Sequence, residues 1–207
     1  MIKRIYLYAP ATFTFIIISG LALVLAHFTS GASNRLLFSV YRAPWSDPLA
    51  YLRIFTHVLG HADLAHYASN FGYLVIILGI IMERKHGTEN IIVFVLLTAL
   101  ISGAIHLIFR PANYALLGAS GIVFMLVMLT VYTFLHKIKF GKHPVLLYIV
   151  ITLYIGGEIL LMVGQAAGFI SNNISYSTHI IGGVCGIMFG AAAQKITPGD
   201  KQSESSD

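Results

Sequence analysis

The sequence predicts an all-α membrane protein: six transmembrane helices in a bundle, with a long, partly helical first loop. Three observations predict it. Of 207 residues, 57% are hydrophobic and only 10% charged, whereas soluble domains carry about 45–50% and about 25%. Apolar blocks of roughly 16–20 residues recur along the chain, near the length that crosses a bilayer core. The basic residues behind the net charge of +5 are scattered between those blocks. That distribution sets topology and does not build a nucleic-acid surface, so no nucleic-acid partner is expected. The single cysteine, Cys185, gives neither a disulfide framework nor a cysteine metal site.

Taken in order, residues 1–8 form a short N-terminal segment that opens on Met1-Ile2-Lys3-Arg4. The apolar run from Ala9 to Phe28 is long enough to span, and longer than the roughly 7–15-residue core of a signal peptide. It is therefore read as a retained first span. Residues 29–63 are too apolar for disorder: Leu49, Leu52, Phe55, Val58 and Leu59 recur at helical spacing. They predict short amphipathic helices lying in the interface. Further spans are expected at Leu64–Met82, Asn90–Phe109, Ser120–Leu135, Pro144–Gly164 and Ser177–Ala193. The membrane domain thus covers 9–194, and 195–207 is a polar tail whose composition predicts disorder.

Six spans put both termini on one side of the membrane. That side would hold Lys3, Arg4, Arg84, Lys85, Lys137, Lys139, Lys142, Lys195 and Lys201, against Arg35, Arg42, Arg53 and Arg110 on the other. The bias assigns the termini to the cytoplasm. The second, fourth and sixth spans then all begin on the outer side. His66 and Asn70 lie early in the second, Ser120 opens the fourth, and His179 lies in the first turn of the sixth. All four therefore share one depth.

Spacing sharpens this. His66 and Asn70 are i and i+4, on one helix face. Gly182, Gly186 and Gly190 follow His179 on its own face, a small-residue stripe that lets a neighbouring helix approach closely. The fourth span is short and preceded by a turn-rich stretch, with Gly118 and Gly121 flanking the serine. Irregular backbone at membrane depth belongs where it lines a wet cavity. A serine needs a base to become nucleophilic, and His179 is the candidate. Asn70 and His66 can donate to an oxyanion, as can backbone N–H groups at the start of the Ser120 helix. No acidic residue is obviously placed to orient His179, so the expectation is a serine–histidine dyad. Glu158, inside the fifth span, is expected to reach the outer interface or to bond to backbone. A zinc reading of His57, His61 and His66 finds no cysteine or acid to complete a set, so no metal is expected. A channel would favour paired broken helices in two halves, a pattern not seen.

At these residues the chain resembles the rhomboid family of intramembrane serine proteases in its six-helix bacterial-type form. The family's Gly-x-Ser-Gly stands as Gly118-Ala119-Ser120-Gly121, its His-x-x-x-Asn as His66 and Asn70, and its His-x-x-Gly-x-x-x-Gly as His179, Gly182 and Gly186. Arg53–His61 resembles the loop running into the second helix, and Glu83-Arg84 the polar end of that helix. The resemblance covers residues 45–193. It implies a rhomboid-like bundle, with Ser120 as nucleophile, His179 as base and His66 and Asn70 as oxyanion donors. It also implies substrates that are transmembrane proteins in the lipid bilayer, cut near their extracytoplasmic end after sideways entry near the second and fifth helices. Neither metal nor cofactor is implied, and the setting is a bacterial inner membrane. The alternative is an inactive relative that binds membrane clients. Three positions depart from the pattern: Leu52-Arg53 replaces a Trp-Arg pair, Phe124 stands where a Tyr often packs on the base, and the cap at Ala167–Tyr176 is long.

Overall fold

The computed structural model describes residues 8–44, 46–110, 113–135, 145–170 and 174–196. Expectations for the N-terminal residues before Tyr8, Trp45, Pro111–Ala112, the basic run Lys137–Lys142, Pro144 and the tail fall outside them. Among the described residues nine α-helices follow one another: α1 Pro10–Phe28, α2 Ala32–Leu37, α3 Pro48–Thr56, α4 Leu64–Phe71, α5 Tyr73–His86, α6 Thr88–Phe109, α7 Ser120–Leu135, α8 Val145–Ala166 and α9 Tyr176–Ile196. A 3₁₀ turn, His57–Leu59, joins α3 to the chain leading into α4. Among the described residues there is no strand, only an isolated bridge between Val40 and Leu116.

Three helices, α1, α6 and α9, are individually long and apolar enough to cross a membrane. The bent pair α4–α5 passes the same test, while α7 and the Ile151–Ala166 part of α8 are shorter apolar helices. Helices thus stand at all six expected places, in order, as an all-α bundle, three of them, or four with the bent pair, long and apolar enough to cross. One differs from expectation: the second is not continuous over Leu64–Met82 but breaks at Gly72, whose backbone is extended in ψ (φ −58°, ψ −179°). Glycine tolerates such a conformation inside an apolar run at little steric cost.

Large apolar side chains cover the outer faces of the bundle, including Leu21, Ile92, Leu153, Leu160 and Met188, while Arg53, His57, His61, Glu83, Thr98 and Ser102 are buried. An apolar exterior around polar interior groups is what a bilayer solvent demands. Glu83 shows how those groups are satisfied. Its carboxylate accepts the Ala11 and Thr12 backbone N–H groups (2.8 Å each), the Thr12 hydroxyl (2.7 Å) and the Thr88 hydroxyl (2.9 Å). It thereby caps α1, whose first-turn N–H groups have no partner within the helix. Pro10 at the first position needs no such partner.

The centre is α7, with Ile122, Met125, Met128 and Leu129 fully buried. Helix α9 lies parallel and very close to it. A Cβ on Gly182 would run into the Gly121 carbonyl oxygen, one on Gly186 into the Met125 carbonyl oxygen, and one on Gly190 would come within 2.6 Å of the Tyr132 ring. The glycine stripe is therefore the α7–α9 seam, packed by van der Waals contact and not by a hydrophobic driving force.

Between α1 and α4 the loop is a scaffold. Asp47 caps α3 by accepting from Leu49 N (2.9 Å) and pairs with Arg53 at 2.5 Å. That hydrogen bond holds the Asp47 carboxyl below the usual carboxylate range. Arg53, 1% exposed, also donates to Leu36 O (3.2 Å) and lies 4.5 Å from the Tyr41 ring centroid. The Thr56 hydroxyl donates to Leu37 O, which ties α3 back to α2. The tightness of this loop is thus built from local caps and one buried cation.

Candidate active site

The stretch before Ser120 is irregular backbone held from three sides. Val40 and Leu116 exchange both main-chain hydrogen bonds at 2.9 Å, Gly118 N donates to His57 O at 2.9 Å, and a His106 ring nitrogen bonds Tyr114 O at 3.2 Å. Gly118 has φ +122°, a conformation that L side chains rarely adopt, so glycine is required there. His57 itself is fully buried and turns Nδ1 to Ile54 O at 2.9 Å, with Nε2 3.3 Å from the Ser102 hydroxyl. Burial pushes its imidazole down to about 4, so it is neutral and Nδ1–H is the donor. His57 is therefore a strut under the serine loop.

The expected oxyanion donors meet at the same place. Asp63 caps α4 by accepting from His66 N at 2.7 Å, which fixes His66 in the first turn. A Cβ placed on Gly118 would lie 2.8 Å from His66 Nε2 and 3.8 Å from Asn70 Nδ2. Both side chains thus close on the backbone two residues before Ser120. Ala62 N donates to His66 Nδ1 over a long 3.4 Å, an arrangement that leaves the ring proton on Nε2, toward Gly118. Asn70 Nδ2 is buried and has no acceptor among the described residues. Buried amide donors are nearly always paired, so an orphan here has the form of a donor waiting for an anion. An edge contact from His61 to His66 (5.1 Å) and a tilted one to Phe71 (5.4 Å) hold this face of α4 in place.

Ser120 and His179 begin parallel helices that touch at Gly121 and Gly182. Phe124, one turn below Ser120 on α7, stacks on the His179 ring with centroids 4.1 Å apart and planes at 30°. The imidazole therefore lies on the serine's face of α7. The bonded partner of the ring is Glu158, with Oε2 3.1 Å from Nδ1, which leaves Nε2 as the free nitrogen. No hydrogen bond joins that ring to the Ser120 hydroxyl; such contacts are often long in a substrate-free enzyme and tighten in the complex. Thr178 also packs here, its Cγ2 2.9 Å from where a Gly121 Cβ would stand.

Glu158 corrects the expectation that it reaches the interface or bonds to backbone. Sequence reading also missed Tyr154, whose hydroxyl donates to His179 O at 2.7 Å. The available signal was a Tyr and a Glu four residues apart on one face of an apolar helix, but their partner lies 21 residues on from the Glu. The cap between α8 and α9 is partly outside the described residues; Gln165 Nε2 donates across it to Ile174 O at 3.0 Å.

Removing the Asn70 amide tests the donor assignment. Asn70→Ala is expected to lower kcat on a model transmembrane substrate by about 100–1,000-fold, the cost of one oxyanion donor, with KM little changed. Steady-state kinetics in liposomes separate the two constants.

Compared with known protein families, residues 48–195 match a family model described as the Rhomboid domain. No curated protein matches the chain.

Proposed function

The chain belongs to the rhomboid family, and we propose that it is an intramembrane serine endopeptidase that cuts transmembrane proteins near their extracytoplasmic end. In this reading Ser120 is the nucleophile and His179 the general base. The Ser120 proton passes to His179 Nε2 as Oγ attacks the scissile carbonyl carbon. His66 Nε2–H, Asn70 Nδ2–H and the Ser120 backbone N–H receive the oxyanion. The C–N bond then breaks as the imidazolium returns its proton to the leaving amine, giving an acyl-enzyme. Water, deprotonated by the same imidazole, then attacks the acyl carbon; the ester bond to Ser120 Oγ breaks, Oγ takes the proton back from the imidazolium, and the new carboxyl terminus leaves. Gly118, Gly121, Gly182 and Gly186 set the backbone positions, and Phe124 supports the base by packing.

The observation that carries this reading is the buried Asn70 amide beside Gly118, which has no acceptor among the described residues. An oxyanion explains it, whereas a client-binding fold without chemistry would keep only its cost. The chain is an integral membrane protein. The nine-to-four asymmetry of basic residues supports cytoplasmic termini, and the likeness to the bacterial-type form supports an inner-membrane setting. A fluorophosphonate probe is expected to label the purified protein at Ser120 and to fail on His179→Ala. Equal labelling of both proteins, or labelling of another residue alone, overturns the assignment.

A further inference from the structure

We propose that Glu158 is the positioning residue of His179, so that the working unit is Ser120–His179–Glu158 and not a serine–histidine pair alone. This deepens the protease reading and rests on it. Glu158 Oε2 stands 3.1 Å from His179 Nδ1, and each side chain is only 12% exposed. A carboxyl group inside an apolar bundle is retained where it has a partner, and its ring partner is the proposed base. Four residues earlier on the same face of α8, Tyr154 donates its hydroxyl to the His179 carbonyl at 2.7 Å and packs its ring on Gly183. Helix α8 therefore grips His179 twice, at the main chain and at the ring, while Phe124 covers a face of the ring and also packs on Tyr154. A carboxylate accepting from Nδ1–H fixes the tautomer in which the Nε2 lone pair faces outward, and it stabilises the imidazolium that forms when the serine gives up its proton. The other titratable or charged groups around the base are Tyr154 on α8, Tyr176 at 5.9 Å on α9, and Arg110, which donates to Ser177 Oγ at 3.1 Å. His66 lies against Gly118 on the far side of the serine loop. From α7 the contact is Phe124, which does not titrate. Glu158 is the anion of the set.

The test uses the full chain in liposomes with a quenched fluorogenic single-span peptide and a fluorophosphonate probe, across the histidine titration range. Wild type, Ser120→Ala, Glu158→Gln and Glu158→Asp are compared, with thermal unfolding as the check on folding. Glu158→Gln is expected to lower kcat and the labelling rate about 100-fold with KM unchanged. Its acidic limb is expected to move to lower pH, because losing a neighbouring negative charge makes the imidazole easier to deprotonate. Glu158→Asp should retain an intermediate rate and limb. Wild-type rate and limb in Glu158→Gln, with Ser120→Ala inactive, overturn this inference and leave the protease reading standing. Undiminished cleavage by Ser120→Ala, or a wild type that neither cleaves nor labels, overturns both. Ring nitrogen NMR of the wild-type protein, with the His179 signals assigned by their loss in His179→Ala, decides the matter even if the glutamine variant does not fold. A proton on Nδ1 supports the assignment, and a neutral ring protonated on Nε2 overturns it.

Discussion

Ser120→Ala is expected to reduce cleavage of a transmembrane substrate to background, with the helical fold and thermal unfolding intact. The reason is positional as well as chemical. Ser120 heads α7, the most buried helix, and its first turn touches α9 one turn from His179. Alanine fits that place, as the fully buried Ala119 beside it illustrates, so the loss isolates the hydroxyl. In soluble serine proteases, removing the nucleophile or the base costs on the order of a million-fold in turnover, because the two act as one unit. His179→Ala should therefore fall to the same background, and the double variant no further. The measurement is product formation from a single-span substrate in liposomes, followed by gel or fluorescence. Residual cleavage within tenfold of wild type in either variant would sink the mechanism.

The second large effect is structural. Gly182→Val is expected to lower stability by about 3 kcal/mol, the upper end of the usual cost of overpacking, and to drive cleavage toward the Ser120→Ala background. Even an alanine Cβ at this position would overlap the Gly121 carbonyl oxygen, a main-chain atom that no rotamer change can move. The α7–α9 seam must open, and it opens beside Ser120 and His179. Misplacement by about 1 Å costs roughly 100-fold where geometry supplies the rate, and valine demands more than that. Gly156→Ala and Gly157→Ala on α8 are the controls, since a Cβ at either meets nothing within 4 Å. They should unfold at or slightly above the wild-type midpoint, helix propensity favouring alanine by about 1 kcal/mol. Equilibrium unfolding in mixed micelles and parallel kinetics report both quantities.

Why some of this was legible beforehand follows from where the information resides. Apolar length and basic flanks locate helices, and α7 begins at Ser120 as its motif and hydropathy predict. The seam was legible because its determinant, small residues at four-residue spacing after His179, lies in one local stretch. His66 and Asn70 were legible as an i, i+4 pair near a helix start. Glu158 was not, because a single acid in an apolar helix names no partner; only the packing of α8 on α9 supplies His179. Glu83 posed the same problem, since its clients, Ala11 and Thr12, lie more than 70 residues away. The break at Gly72 was hidden by a sequence apolar on both sides, where one glycine permits a break without requiring it.

The ties between the first loop and the serine loop have a consequence for how this protein tolerates change. Val40 and Leu116 are joined through main-chain atoms, and so are Gly118 and His57. Side-chain identity at Val40 and Leu116 is therefore decoupled from these bonds. Substitution there leaves the donors and acceptors in place, with proline the exception because it deletes an N–H. Both side chains are buried, so the changes tolerated there are apolar ones of similar volume, while the main-chain ties keep the Ser120 loop at its address.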